Sequence, residues 1–369
     1  MPLGGIGDLG LSLWAGDLLL PALTLRGDRL RHNLARMMRF CDEHGVGLAP
    51  HGKTTMAPQI FADQLAAGAW GITAATVGQA QVMAHVGVPR ILIANEVVDP
   101  RGIRWLSGSG VLCLVDSVAG VEALDGPVEV LVEVGVSSRR GGVRDETAAL
   151  EVLEAAARAP GVSPVGVECF EGVVTDRSSV DELLARVRRL AVEGAERGLF
   201  ARERPLVTAG GSIFFDAAAG LAGLPGAEVV LRSGCYVTHD DGLYEAASPL
   251  AGSHGADDPL LPALELWVDV LSCPEPGLAI AGAGRRDAPY DAGLPVVLRA
   301  YRGGEQLSLG AATVTELNDQ HAFVSADGLR PGDMLCLGIS HPCGAFDRWR
   351  TLLEVDEDYT VTRAIRTFF

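Results

Sequence analysis

The stretch Leu48-Ala49-Pro50-His51-Gly52-Lys53-Thr54-Thr55 decides how the rest of the chain is read. Residues 46–49 are apolar and predict a short buried strand. Pro50 and Gly52 break it and leave Lys53 at the strand's carboxyl end. A lysine placed there is expected to be held partly out of water, which disfavours its ammonium form and frees a neutral amine for Schiff-base chemistry. By itself the feature is weak, because a lysine after a strand is most often a solvated surface charge.

Working outward, residues 28–44 predict a helix in which Leu30, Leu34, Met37 or Met38 and Cys41 recur at helical spacing, with Asp28 as its cap and Gly45 as its stop. Seven more short β-rich apolar runs follow the first, at 72–76, 91–95, 111–116, 128–134, 164–170, 205–209 and 228–232, separated by helical patterns. Strands alternating with helices imply parallel pairing, and eight such units close a (β/α)8 barrel, whose chemistry collects at the carboxyl ends of the strands. Lys53, Asn95, Arg139, Arg140, Phe170 and Glu171 all fall at that rim, as do the segments 208–212 and 232–236.

The last two segments follow the seventh and eighth strands, where barrels often bind phosphate. Gly210 and Gly211 have no side chain to block an anion, Ser212 is placed to cap a helix beginning there, and Gly234 offers the same access. Two ordinary glycine turns are the bland alternative. No nucleotide-binding loop is present: Gly52-Lys53-Thr54 lacks the upstream glycine, and Gly282-Ala283-Gly284 completes no GxGxxG.

From about residue 262 the alternation ends. Runs at 264–271, 278–281, 296–301, 307–314, 322–325, 334–339 and 351–355 read as strands between glycine, proline and acidic turns, which predicts a second, all-β domain. The expected division is a segment 1–25 that joins the β domain, a barrel at 26–261 and the β domain at 262–369. Within the last, Ser340-His341-Pro342-Cys343 places an imidazole and a thiol two residues apart; on an extended segment both point to one side, and the pair suits zinc.

The chain has 369 residues, 48% of them hydrophobic, and a net charge of −17, which argues against nucleic acid or an anionic membrane as partner. No apolar run approaches a membrane span, and the N-terminus lacks a signal-peptide pattern, so a cytoplasmic location is expected. Seven cysteines with no CxxC read as buried thiols in a reducing compartment.

His51-Gly52-Lys53-Thr54, residues 64–73, Gly78-Gln79-Ala80 and Ile91-Leu92-Ile93-Ala94-Asn95 together resemble the metal-dependent D-serine dehydratase and D-threonine aldolase family, pyridoxal-phosphate enzymes of the alanine-racemase-like fold. The resemblance is strongest over residues 48–98 and recurs in shorter pieces to about residue 350. It implies that Lys53 carries pyridoxal 5'-phosphate and that Gly210, Gly211, Ser212, Gly234, Cys235 and Tyr236 hold its phosphate. An arginine after the fifth strand takes a site role, Arg139 or Arg140. It also matches Gln320-His321 to a Glu-His pair, making His321 a candidate catalytic residue; the plain reading is a histidine in a hairpin turn. The chain departs from the family at Phe170, where a tyrosine is usual, and at Gly282, where an aspartate is usual.

The dehydratase branch carries His-x-Cys where His341 and Cys343 stand, and the aldolase branch typically His-x-Asp. The resemblance therefore implies Zn2+ or another divalent metal on His341 and Cys343, and β-elimination from a β-hydroxy-D-amino acid such as D-serine or D-threonine to a 2-oxo acid and ammonia. The alternative is aldol cleavage to glycine and an aldehyde. A racemase, with Tyr290 as a second base, and a noncatalytic carrier of the cofactor are further readings. The resemblance also implies a homodimer.

Overall fold

The computed structural model describes residues 3–369. Met1 and Pro2, at the start of the expected 1–25 segment, lie outside it. The chain forms two compact units, one of residues 37–53 and 61–234, the other of the segments up to 36, 54–60 and 235–369. Strands are numbered along the chain. β1 (Ala22–Arg26) belongs to the second unit, and the first unit holds β2 (Gly47–Leu48), β3 (Ile72–Ala74), β4 (Ile91–Glu96), β5 (Leu112–Val115), β6 (Val128–Val134), β7 (Val162–Cys169), β8 (Leu206–Ala209) and β9 (Glu228–Leu231).

These eight strands are parallel, in the order β2-β9-β8-β7-β6-β5-β4-β3. A parallel bridge between His51 and Thr73 joins the two ends of that order, with the Thr73 N–H donating to the Pro50 carbonyl at 2.9 Å, so the sheet closes into a barrel. The strands read as continuous apolar runs because both faces are covered, one by helices and one by the filled interior. Ala49, Leu92, Leu112, Leu114, Leu131, Val165, Leu206 and Val230 pack into one cluster of nearly zero exposure.

The helix Gly27–His44 starts one residue earlier than expected and places Asp28 within its first turn. Asp28 is not the cap: its carboxylate accepts from Arg26 Nε and Nη2, both at 3.1 Å. Gly45, at φ +65°, ends the helix in the left-handed region.

The second unit carries β10 (Leu264–Glu275), β11 (Leu278–Ala281), β12 (Val296–Arg302), β13 (Glu305–Gln306), β14 (Thr313–Leu317), β15 (Ala322–Ser325), β16 (Met334–Gly338), β17 (Thr351–Val355) and β18 (Val361–Arg366). They form a ten-stranded sheet with β1, in the order β13-β12-β16-β10-β1-β17-β18, and β11, β15 and β14 continue from β10. β1 pairs antiparallel with β10 and parallel with β17. Trp267 is fully buried in a core with Leu13, Cys336, Val355, Tyr359 and Val361. The buried Glu265 beside it accepts from Arg299 at 2.6 Å and from the Tyr359 hydroxyl at 2.7 Å.

One expected strand is misplaced: 307–314 is mostly loop, and β14 begins only at Thr313, beyond Gly310, which has no side chain to pack on a pleated surface. β18 was not expected, because its alternation is interrupted by Arg363 and Arg366. Arg363 is held by Glu354 across the β17–β18 pair. No helix among the described residues is long and apolar enough to cross a membrane.

Leu131 is wholly buried at the middle of the barrel interior. Leu131→Ala is expected to destabilise the protein by about 2–5 kcal/mol, the lost transfer energy plus the cavity left behind. A urea transition followed by circular dichroism at an unchanged midpoint would show that this cluster is not the barrel's core.

Candidate functional site

The strand end that carries Lys53 is shaped by its neighbours. Gly52 is buried, and a Cβ there would come within 2.5 Å of Met83 and 2.8 Å of Ile72, so any side chain would have to displace the groups packed against it. Residues Gly52–Thr54 form a single 3-10 turn, and Lys53 stands exposed on it. The expectation of a partly buried lysine is overturned: the turn lifts the side chain off the strand end and into the open rim.

His51, one residue before that turn, has a buried Nδ1 without a hydrogen-bond partner. Burial and the nearby cations Lys53, Arg232 and Arg140 hold its pKa well below the ordinary histidine value, so the ring is neutral.

The loops after β8 and β9 are tied together. The Ser233 hydroxyl donates to the carbonyls of Gly210 and Gly211 at 3.1 and 3.0 Å, and the Arg232 N–H donates to the Gly210 carbonyl at 3.2 Å. Gly210 sits at φ +94°, and a Cβ on Gly211 would lie 2.8 Å from the Phe170 ring. The N–H groups of Gly210 and Gly211 do bind an anion, but the anion is the buried carboxylate of Glu171. The capping role expected of Ser212 is also overturned. The nearest helix is Phe215–Ala219, its N-cap is Phe214, and no side chain caps it. Gly234 is buried at the end of the same barrel segment.

Of the two candidate arginines, Arg140 is the one that faces other site residues. Its guanidinium lies 4.8 Å from the Phe170 ring centroid and 3.7 Å from Glu133. Arg139 is exposed, and its carbonyl accepts from Arg144. Phe170 therefore serves as a wall, between Arg140 and the glycines at 172 and 211.

Sequence reasoning missed the charged floor beneath this rim. Arg232 forms a buried ion pair with Glu168 at 2.5 Å, and its guanidinium also donates to the Thr208 hydroxyl and the Cys169 carbonyl. Glu133 is pushed up to about 9, first by burial, then by Glu168 and Glu96, against the smaller opposing effect of Arg140. Glu133 on β6 and Glu168 on β7 stand opposite each other in mostly apolar strands, and a glutamate inside such a run was the available signal.

The second unit holds a separate constellation. His341 and Cys343 do not share an extended segment: Pro342 starts the short helix Pro342–Phe346, with His341 as the extended residue before it and Cys343 in its first turn. Proline's fixed φ suits that first helical position. The two side chains nevertheless meet in a hydrogen bond. His341 Nδ1 lies 2.7 Å from Asp291 Oδ2, which orients the ring and leaves Nε2 for another partner.

Cys235, in the turn Cys235–Val237, puts its sulfur 3.5 Å from that of Cys343. Thr54 Oγ1 lies 3.5 Å from Cys343 Sγ and 3.8 Å from Cys235 Sγ. Hydrogen bonds from Cys235 first, then His341 and Thr54, bring Cys343 down to about 4, while the bond to Cys343 and burial push Cys235 well above its ordinary value. Cys343 is therefore the more acidic sulfur of the two. Among the described residues, no three His, Cys, Asp or Glu side chains are arranged to hold a metal as they stand.

Of the remaining candidates, Tyr236 is buried in the turn that holds Cys235. His321 is exposed in the turn between β14 and β15, its carbonyl accepting from the Asn318 N–H at 2.8 Å. Gln320 donates instead to the buried Asp287, at 2.9 Å. Tyr290 is exposed beside Arg285 and Arg348.

Residues 25–219 match the family model of the alanine racemase N-terminal domain, and residues 263–355 that of a putative serine dehydratase domain. The chain is 29% identical over 324 residues to a D-threonine aldolase of Arthrobacter sp, covering 83% of this chain and 80% of the relative. It is 28% identical over 339 residues to a D-threo-3-hydroxyaspartate dehydratase of Delftia sp. (strain HT23), covering 85% and 86%. The crystal structure of a D-threonine aldolase from Filomicrobium marinum superposes with a TM-score of 0.81 at 24% identity, covering 97% of each chain.

The raised Glu133 has a stability consequence. Folded, it keeps its proton up to about pH 9, whereas unfolded it loses it near the ordinary value of 4.5. Between those values the native state binds the extra proton, so stability falls as pH rises. Glu133→Gln is expected to flatten that fall, and denaturation midpoints at pH 5 and pH 8 that drop in parallel for variant and wild type would refute the assignment.

Proposed function

Because the chain belongs to the D-serine dehydratase and D-threonine aldolase family of alanine-racemase-like pyridoxal-phosphate enzymes, we propose that it is a lyase of β-hydroxy-D-amino acids. More narrowly, the proposed reaction is a metal-assisted dehydration that gives a 2-oxo acid and ammonia. The observation that carries the narrower reading is the placement of Cys343 beside His341, whose ring is braced by Asp291. Imidazole plus thiolate is a donor set for zinc or a similar soft-tolerant divalent ion.

The residues fit the cofactor as well. Lys53 is an accessible amine, the glycines at 210 and 211 leave space a Cβ would fill, and their N–H groups already select an anionic partner. For a phosphate to use those donors, Glu171 must give them up. When bound, pyridoxal phosphate supplies an electron sink for charge at Cα, and the metal supplies a Lewis acid for the β-hydroxyl.

In this reading Lys53 Nζ would bind the cofactor covalently and then take the α-proton. Arg140, with Lys53, Gly210, Gly211, Ser212 and Gly234, makes up the barrel's proposed binding set; its planar fork suits a carboxylate. His51 stays neutral beside these cations and so adds no positive charge to them. Asp291 fixes which ring nitrogen of His341 is free to ligate. His321, in an exposed turn, is the further residue proposed for a catalytic role.

Aldol cleavage is the second reading, favoured by the similarity to D-threonine aldolases. Incubating the purified enzyme with D- and L-forms of serine, threonine and threo-3-hydroxyaspartate, with and without chelator, decides between them. Ammonia and a 2-oxo acid from the D-forms are expected; glycine and an aldehyde would replace dehydratase by aldolase. Lys53→Ala is expected to lose the visible absorbance of the lysine-bound cofactor and about 10²–10⁴-fold or more in rate. Cys343→Ala is expected to keep that colour while losing metal and activity, and a fully active Cys343→Ala enzyme would rule out the metal assignment.

A further inference from the structure

We infer that Cys235 is a third protein ligand of the metal, so that the site is a Cys235, His341, Cys343 set with one position open. This rests on the reading that His341 and Cys343 bind a divalent ion, and it extends that reading to a residue 108 positions away in the chain. The argument starts from the sulfur spacing. Two thiolates on one tetrahedral zinc, each at about 2.3 Å, stand about 3.8 Å apart. The sulfurs of Cys235 and Cys343 are 3.5 Å apart, close to that separation and far beyond a disulfide bond of about 2.05 Å.

The placement is built rather than incidental. The N–H groups of His239 and Thr238 both donate to the Cys235 carbonyl, at 2.8 and 3.3 Å, which fixes the turn that aims its side chain. Thr54 Oγ1 reaches both sulfurs, and Tyr244 hydrogen-bonds Cys235. Tyr244 also turns the edge of its ring toward His341, with centroids 6.2 Å apart. Cys235 is 4% exposed, so its sulfur meets protein groups and not solvent.

The three donors do not yet surround one point, so loading requires a side-chain rearrangement that draws His341 Nε2 to an ion between the sulfurs. Two sulfurs and one imidazole nitrogen select zinc over magnesium or manganese, which prefer oxygen. Three protein ligands leave one tetrahedral position for water or a substrate hydroxyl, the arrangement a catalytic zinc needs. A pair of ligands alone would leave the ion more open and less tightly held.

The test is to strip the full-length protein with chelator, load it with cobalt(II), and read the sulfur-to-cobalt charge-transfer absorption. Wild type is expected to show the intensity of two thiolates, Cys235→Ser and Cys343→Ser each about half of it, and the double variant none. X-ray absorption of the wild-type zinc protein, which needs no variant to fold, is expected to count two sulfurs per ion. One sulfur per ion, with the charge-transfer band unchanged in Cys235→Ser and lost in Cys343→Ser, overturns the inference and leaves the two-ligand site standing. Absence of any sulfur-bound metal in wild type overturns both.

Discussion

The contact on which the barrel depends is the meeting of its first and second strands. Thr73, wholly buried, donates its N–H to the Pro50 carbonyl at 2.9 Å and its hydroxyl to the Ala49 carbonyl at 2.6 Å. Without it the parallel sheet would have two open edges, each a row of unpaired backbone groups. The contact also fixes the strand end from which the Gly52–Thr54 turn carries Lys53. Proline is tolerated there because only its carbonyl is called on.

Above that seam, the barrel unit balances charge in a confined volume. Arg232, buried and paired to Glu168, sits with Arg140, Glu133, Glu96 and the neutral ring of His51. Burial makes each charge costly unless a partner offsets it, so one carboxyl keeps its proton and the histidine stays neutral. The Gly210 and Gly211 N–H groups are likewise occupied, by the side chain of Glu171.

In the β unit, the buried Glu265 network and the Trp267 core lie within the sheet, while the residues proposed to hold a metal lie at its irregular parts: a helix start set by Pro342 and a turn at Cys235. The chain passes between the units at Arg36–Met37, Lys53–Thr54, Ile60–Phe61 and Gly234–Cys235.

The eight barrel strands and most of the β unit were legible because buried parallel strands are unbroken apolar runs and glycine and proline mark their ends. Lys53, the glycine loops and the His-x-Cys pair were likewise visible as local patterns. What failed was local geometry that depends on neighbours: Asp28 is claimed by Arg26, the helix after Ser212 has no side-chain cap, and Lys53 is exposed on a 3-10 turn. The acid floor of Glu133 and Glu168 with Arg232, and the pairing of Cys235 with Cys343, join residues far apart in sequence. Apolar periodicity and turn chemistry are short-range and so were set by the sequence alone; partnership between distant side chains is created by burial and closure, and only the tertiary structure decided it.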